Sequence, residues 1–139
     1  MDFPPELSIG PPNVDTQPFW DACRRRELRF QRCRSCRRFR HPPIPGCPHC
    51  GSGDVEWVPV SGNGRIFSYT LVHHPTMPAL ASHVPYNVIV VEFPDAPGVR
   101  LISNLLDVGT DGIEIGMAVT LVWDPVAPDL FLPRFRPAS

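Results

Sequence analysis

Two cysteine pairs, Cys33-Arg-Ser-Cys36 and Cys47-Pro-His-Cys50, stand ten residues apart. A C-x-x-C turn lets two thiolates converge on one ion at about 2.3 Å, and a second such turn completes a tetrahedron. The metal that this set suits is Zn2+, and with four protein ligands no position stays open to water, so the ion is structural. A redox pair would need only one such motif, at a strand-to-helix junction. His41 and His49 lie close by, and a Cys3His set using His49 is the alternative. The fifth cysteine, Cys23, falls on the apolar stripe of a predicted helix and reads as a core thiol.

Catalysis requires a nucleophile with a base in reach, paired carboxylates, or an open metal. No catalytic residue is expected here. His73, His74 and His83 are the candidate acid–base groups outside the cysteine region, and adjacent histidines on a strand point to opposite faces. The fourteen carboxylates are scattered. Gly62 and Gly64 suggest a tight turn, since no G-x-x-x-x-G-K-[ST] phosphate loop follows.

Charge is distributed unevenly. Arg24, Arg25, Arg26, Arg29, Arg32, Arg34, Arg37, Arg38 and Arg40 are nine of the thirteen basic residues, with Glu27 alone against them in that stretch. The chain has no lysine. Three readings stand: a solvated basic face; attraction to an acidic partner or to phosphates, which guanidinium forks bind bidentately; and nucleic-acid binding, for which Phe67 and Tyr69 on one strand face would stack bases. The net charge of −1 counts against the last, because a nucleic-acid groove is basic along its length.

The elements that must position these residues are short. In 139 residues there are 19 prolines and 10 glycines, which disfavours a helical bundle and fits one mainly β domain. Residues 1–27 read as an N-terminal proline-rich arm and a short helix capped by Thr16, with Phe19, Trp20 and Cys23 on one stripe. Residues 28–54 form the cysteine module, entered by a strand at Leu28–Cys33. Five β-branched and aromatic runs follow within residues 55–124: Val55–Val60, Gly64–His73, Pro85–Pro94, Val99–Leu106 and Met117–Asp124. They predict a small antiparallel barrel, of which the OB-fold is the common five-stranded type. Both faces of Asn87–Val91 and Leu101–Leu106 are largely apolar, so the outer wall must be covered by the chain's own helix and arms or by a partner. Residues 125–139 read as a second proline-rich arm, whose Leu130, Phe131, Leu132 and Phe135 suit docking on another protein. No signal peptide or membrane span is visible, and the chain reads as cytoplasmic.

Phe19-Trp20, Leu28-Arg-Phe-Gln-Arg-Cys33, the two cysteine turns with Pro42-Pro43 between them, Ser61-Gly-Asn-Gly64 before Ile66-Phe-Ser-Tyr-Thr70, Pro85-Tyr86 and Gly116-Met-Ala-Val119 resemble the domain of unknown function 35 family. The likeness covers about Pro18 to Phe135. It implies a rubredoxin-like zinc ribbon followed by a C-terminal OB-fold. It also implies a non-catalytic accessory subunit that completes or stabilises a thiolase-superfamily enzyme acting on a bulky acyl-CoA, with sterol side-chain cleavage as one setting. A two-plus-two heterotetramer is expected, and contact with the CoA thioester held by the partner. The family's usual glycine after the second cysteine is Arg37 here, which puts that turn's geometry in question. The alternatives are a free-standing acyl-CoA binding module and a zinc-ribbon/OB-fold nucleic-acid binding protein.

Overall fold

The computed structural model describes residues 13–138. One helix, α1 (Gln17–Arg24), precedes a three-stranded sheet of β1 (Arg29–Cys33), β2 (Phe39–Arg40) and β3 (Val55–Pro59), in the order β2-β1-β3. A five-stranded antiparallel sheet follows: β4 (Asn63–Val72), β5 (Tyr86–Phe93), β6 (Ala96–Ser103), β7 (Ala118–Ala127) and β8 (Leu130–Pro137), ordered β6-β5-β4-β7-β8. The chain is thus mainly β, a ribbon leading into a curled OB-like sheet.

Pro18 in the first turn supplies a helical φ without a missed hydrogen bond, and Phe19, Ala22 and Cys23 face inward. Thr16 occupies the capping position but makes no side-chain cap. Asn13 does that work nearby: its Oδ1 accepts the amides of Asp15 and Thr16 at 3.0 and 2.9 Å, and its carbonyl accepts the Gln17 amide. The helix ends in a Schellman turn, with the Arg26 and Glu27 amides donating to the Cys23 and Ala22 carbonyls. Arg26 takes the left-handed position there, at φ +58°.

Two assignments made from sequence change. The run at 55–60 does not enter the barrel: Val55–Pro59 pairs antiparallel with β1 from Cys33↔Val55 to Arg29↔Pro59 and belongs to the ribbon's sheet. The fifth barrel strand comes instead from the segment expected to be an arm, because Leu130–Pro137 pairs with β7 along its whole length. Pro133 and Pro137 are tolerated because β8 is the last strand of its sheet, where a missing N–H breaks no ladder on its open side. Phe135 is therefore not a docking residue. It is fully buried and packs against Phe93, ring centroids 5.9 Å apart.

Strand β8 also closes the barrel. The Leu106 amide donates to the Phe135 carbonyl at 2.7 Å and the Phe135 amide to the Asn104 carbonyl at 3.1 Å, joining the chain beyond β6 to β8. Asn87 of β5 holds the same segment from the other side, its amide group donating to the Leu105 carbonyl and accepting the Leu105 N–H at 2.9 and 2.7 Å. At the opposite end, β4 crosses close under its neighbours. A Cβ on Gly64 would lie 2.6 Å from both the Glu92 carbonyl oxygen and Val91 Cγ1, so the glycine pair at 62 and 64 serves a close backbone approach.

The core is continuous across both modules: Phe19, Cys23, Leu28 and Phe30 from the helix and ribbon join Ile66, Ile89, Val91, Phe93, Val119 and Phe135 from the barrel. Removing the Phe135 ring should cost about 3–5 kcal/mol, the usual range for a large buried aromatic replaced by alanine. Thermal unfolding of Phe135→Ala is expected to show that loss, and deletion of residues 129–139 should unfold the barrel rather than merely shorten an arm.

Candidate functional site

Strand β1 delivers Cys33 at its end and the turn before β2 delivers Cys36. The loop after β2 carries Cys47 and Cys50 back to them. All four sulfurs lie within 4.8 Å of one another. Cys33 Sγ and Cys50 Sγ are 3.6 Å apart, as are Cys36 Sγ and Cys47 Sγ. A tetrahedron of Zn–S bonds of about 2.3 Å has edges of about 3.8 Å, so the four thiols fit one ion with little adjustment.

Each pair is bent by an equivalent backbone bond. The Arg37 amide donates to the Cys33 carbonyl at 2.8 Å and the Gly51 amide to the Cys47 carbonyl at 2.9 Å. The residue after each second cysteine then turns left-handed, Arg37 at φ +69° and Gly51 at φ +79°. Arg37 thus keeps the turn that glycine would make more cheaply. Backbone amides point at the sulfurs: that of Cys36 holds the Cys33 thiol below its ordinary range, and that of Cys50 brings Cys47 down to about 6. Cys50 gains from the Ser52 amide, yet its hydrogen bonds with the other thiols push it up to about 11. Those neighbours cannot all ionise without a cation between them.

The histidines take no part in this cluster. His49 is exposed, and His41 packs between Phe19 and Phe30 with ring centroids 5.1 and 5.3 Å away. Burial there brings His41 down to about 4, so it is neutral at physiological pH. Cys23 lies in the core, where burial pushes its thiol up to about 12. His73 and His74 are exposed just beyond β4, and His83 Nδ1 sits 3.2 Å from Ser82 Oγ.

The arginine cluster resolves into internal partners. Glu56 of β3 receives Arg32 at 2.8 Å and Arg37 at 3.0 Å, and Arg32 holds its carboxyl below the usual carboxylate range. Glu27 receives Arg29 and Arg25, while Arg24 pairs with Asp21 and Arg34 with Asp54. Arg26 lies over the Phe131 ring, and buried Arg40 donates from Nε and Nη2 to the Ile44 carbonyl. Both aromatic side chains considered for base stacking are exposed, Phe67 at 48% and Tyr69 at 37%. A bulge between Ile66 and Ser68 lies beside Phe67, whose ring is covered by Arg100, 4.2 Å from ring centroid to guanidinium. Sequence gave no warning of that bulge, and the partners Glu56 and Asp54 are too distant in the chain to have been paired with the arginines.

Comparison with known proteins matches residues 20–56 to a family model described as the rubredoxin-like zinc ribbon domain of ChsH2, and residues 57–124 to its C-terminal OB-fold domain. A probable enoyl-CoA hydratase alpha subunit of Thermomonospora curvata is 46% identical over 91% of this chain and 38% of its own length. The 3-oxo-4,17-pregnadiene-20-carboxyl-CoA hydratase alpha subunit of Mycobacterium tuberculosis is 34% identical over 85% of this chain and 37% of its own. The chain therefore spans little more than a third of those two relatives. A DUF35 domain-containing scaffold protein of Methanothermobacter thermautotrophicus is 35% identical over 73% of this chain and 75% of its own. Among solved structures, a chain of the Ltp2-ChsH2(DUF35) aldolase superposes with a TM-score of 0.84 at 44% identity, covering 94% of this chain and all of that one.

Exchange of Cys47 for serine should remove one of the four thiolates and release the metal. Because binding energy on the order of 10 kcal/mol is coupled to folding in such centres, the ribbon is expected to lose protection from hydrogen exchange while β4–β8 keep theirs. Metal released to a chelator and amide exchange read the two effects separately.

Proposed function

The chain belongs to the ChsH2 family of DUF35 proteins, a zinc ribbon joined to an OB-fold, and we propose that it is a non-catalytic accessory subunit of a thiolase-superfamily enzyme that acts on a bulky acyl-CoA. The acyl group we propose is a steroid side chain. Its relatives support the coarse part of this reading: they are alpha subunits of hydratases, scaffold proteins, and part of an aldolase. The substrate printed in the name of the mycobacterial relative supports the steroid class. Zinc is the ion we assign to Cys33, Cys36, Cys47 and Cys50, in a structural role, in a cytoplasmic protein whose described residues include no helix long and apolar enough to cross a membrane.

The observation that carries the partner surface is an apolar apex on an otherwise complete barrel. Phe67 is 48% exposed at the β4 bulge, and Ile115 is 69% exposed on the loop whose Gly116 amide donates to the Ile66 carbonyl. The two side chains are thus chain neighbours of one hydrogen-bonded pair. Arg65, bonded to the Gly116 carbonyl, and Arg100, stacked on Phe67, frame them. Aromatic and arginine side chains held rigid in this way are what the energetic centre of an interface is made of. This replaces the C-terminal arm as the docking element, since that segment is spent on closing the barrel. The partner enzyme would be a dimer, giving a two-plus-two assembly, with this subunit beside the mouth that admits the CoA thioester.

Co-expression with the thiolase-like partner should yield a stable complex containing one zinc per chain of this subunit. Phe67→Asp together with Ile115→Asp is expected to weaken that complex by tenfold or more, since central interface side chains cost about 2 kcal/mol or more on truncation, with zinc content unchanged. The isolated chain should turn over no acyl-CoA. Unchanged affinity in the double variant would reject this surface, and turnover that depends on His73, His74 or His83 would reject the non-catalytic role.

A further inference from the structure

Strands β5 and β6 are apolar on their outer face, and the helix covers that face only in part. Asn87, Ile89 and Val91 of β5 are buried, so the alternating Val88 and Val90 point outward. Across the ladder Val90 stands opposite Ile102 of β6, and Glu92 opposite Arg100. Arg100 also reaches over the Phe67 ring, which puts Phe67, Arg100, Val90 and Ile102 on one surface. Past Arg100 and Ile102 that surface becomes the floor of an open, mainly apolar groove of about 710 Å3, walled by Trp20 of α1, Pro43 of the ribbon, Met77 of the loop after β4 and Leu132 of β8. Ile102 is 70% exposed there. The polar side chains of the lining have partners within the chain: Ser103 Oγ donates to the Pro133 carbonyl at 2.7 Å, Asn104 donates to the Asn87 carbonyl, and Arg100 pairs with Glu92. The groove therefore offers contact to apolar side chains above all.

We propose that the thiolase-like subunit extends from the apex at Phe67 and Ile115 across Arg100 and Ile102, and sets an uncharged, apolar projection into this groove, so that apex and groove are one interface. This rests on the accessory-subunit reading above. Area favours that occupant, because a stable interface buries about 800 Å2 and about 20–30 residues on each side, which Phe67 and Ile115 alone cannot supply. Continuity favours it as well. Arg100 belongs to both places, stacked on Phe67 and lining the groove, so a body docked on the apex stands at the groove's edge. The lining then selects what enters. A charge set against Trp20, Ile102 and Leu132 would lose its water without gaining a partner, whereas a branched aliphatic or aromatic side chain would cover the exposed floor. Groove and apex would thus form the apolar centre of the interface, with Arg65 and Glu92 at its polar rim.

The test uses the full chain co-expressed with the thiolase-like subunit. A photo-activated benzoylphenylalanine placed at position 102, and separately at position 115, should cross-link to that subunit from both places. Ile102→Asp should weaken the complex tenfold or more. Because Ile102 is largely exposed in the free chain, zinc content and thermal midpoint of the isolated variant should match the parent, which shows that it is folded. Val126→Asp, at another exposed apolar position, on β7, should bind as the parent does. Parent-like affinity of Ile102→Asp would overturn the proposal. So would cross-links from position 115 without any from 102, or cross-links from 102 that stay within one chain or join two copies of it. In each of those cases the complex still forms and the accessory role stands. Failure of the unaltered chain to form the complex would reject that role, and the groove assignment with it.

Discussion

A curled sheet of five strands has two free edges until its first strand meets its last, and here that meeting depends on three residues of backbone. Residues 104–106 lie between the Asn87 side chain and the Phe135 main chain, with hydrogen bonds on both sides. The buried Asn87 amide must have partners, because an unsatisfied polar group costs about 1–3 kcal/mol. A fully paired one therefore allows a single register. The closure buries Phe135 against Phe93, and it brings β8 beneath the helix. Beside it, Ser103 Oγ of β6 donates to the Pro133 carbonyl of β8 at 2.7 Å, a further bond across the closure. Arg134, bonded to Asp124 and to the Asn104 side chain, joins β7, β8 and the closing segment into one network.

The ribbon depends on this barrel as well as on its metal centre. A three-stranded sheet in which one strand has two residues cannot bury enough apolar surface alone. Phe30 of β1 instead reaches Phe93 of β5, ring centroids 5.3 Å apart, and Phe19 of the helix stacks on Phe30. The metal centre fixes the far end of the ribbon and the aromatic stack fixes the near end. Loop 41–46 is pinned between them, with the Ile44 amide donating to Gln31 Oε1 and its carbonyl accepting from Arg40. The two modules matched by separate family models are thus held in one orientation by a shared core.

What could be read from the sequence was local. Four cysteines in two turns declare their cluster through spacing alone, and Pro18, Phe19 and Cys23 declare a helix with one buried face. Strand pairing was not local in this sense. Val55–Pro59 has the same β propensity as the barrel strands, and only its ladder with Arg29–Cys33 assigns it to the ribbon. Strand β8 was hidden by its prolines, which usually argue against a strand and are admitted here by an edge position. The bulge between Ile66 and Ser68 leaves no mark either, since the apolar and polar residues around it alternate as they would in a regular strand.

Arginine density misled for a related reason, and its resolution bears on which ligands the ribbon can hold. Nine guanidiniums in seventeen positions suggest a phosphate surface when only their neighbours in sequence are counted. Folding sets β3 alongside β1, and Glu56 then stands across from Arg32, its register partner, and within reach of Arg37. Cross-strand pairs of opposite charge on exposed strands contribute tenths of a kcal/mol each, so they do little for stability. Their consequence is electrostatic: six of the nine arginines are met by Asp21, Glu27, Asp54 or Glu56, one stacks on Phe131 and one is buried on a carbonyl. Only Arg38 has no such partner among the described residues. A polyanion would have to compete with those carboxylates at almost every cation, which a nucleic-acid groove avoids by keeping its arginines unpaired. The basic stretch is therefore largely neutralised by carboxylates of its own fold and leaves little unpaired charge for a polyanion.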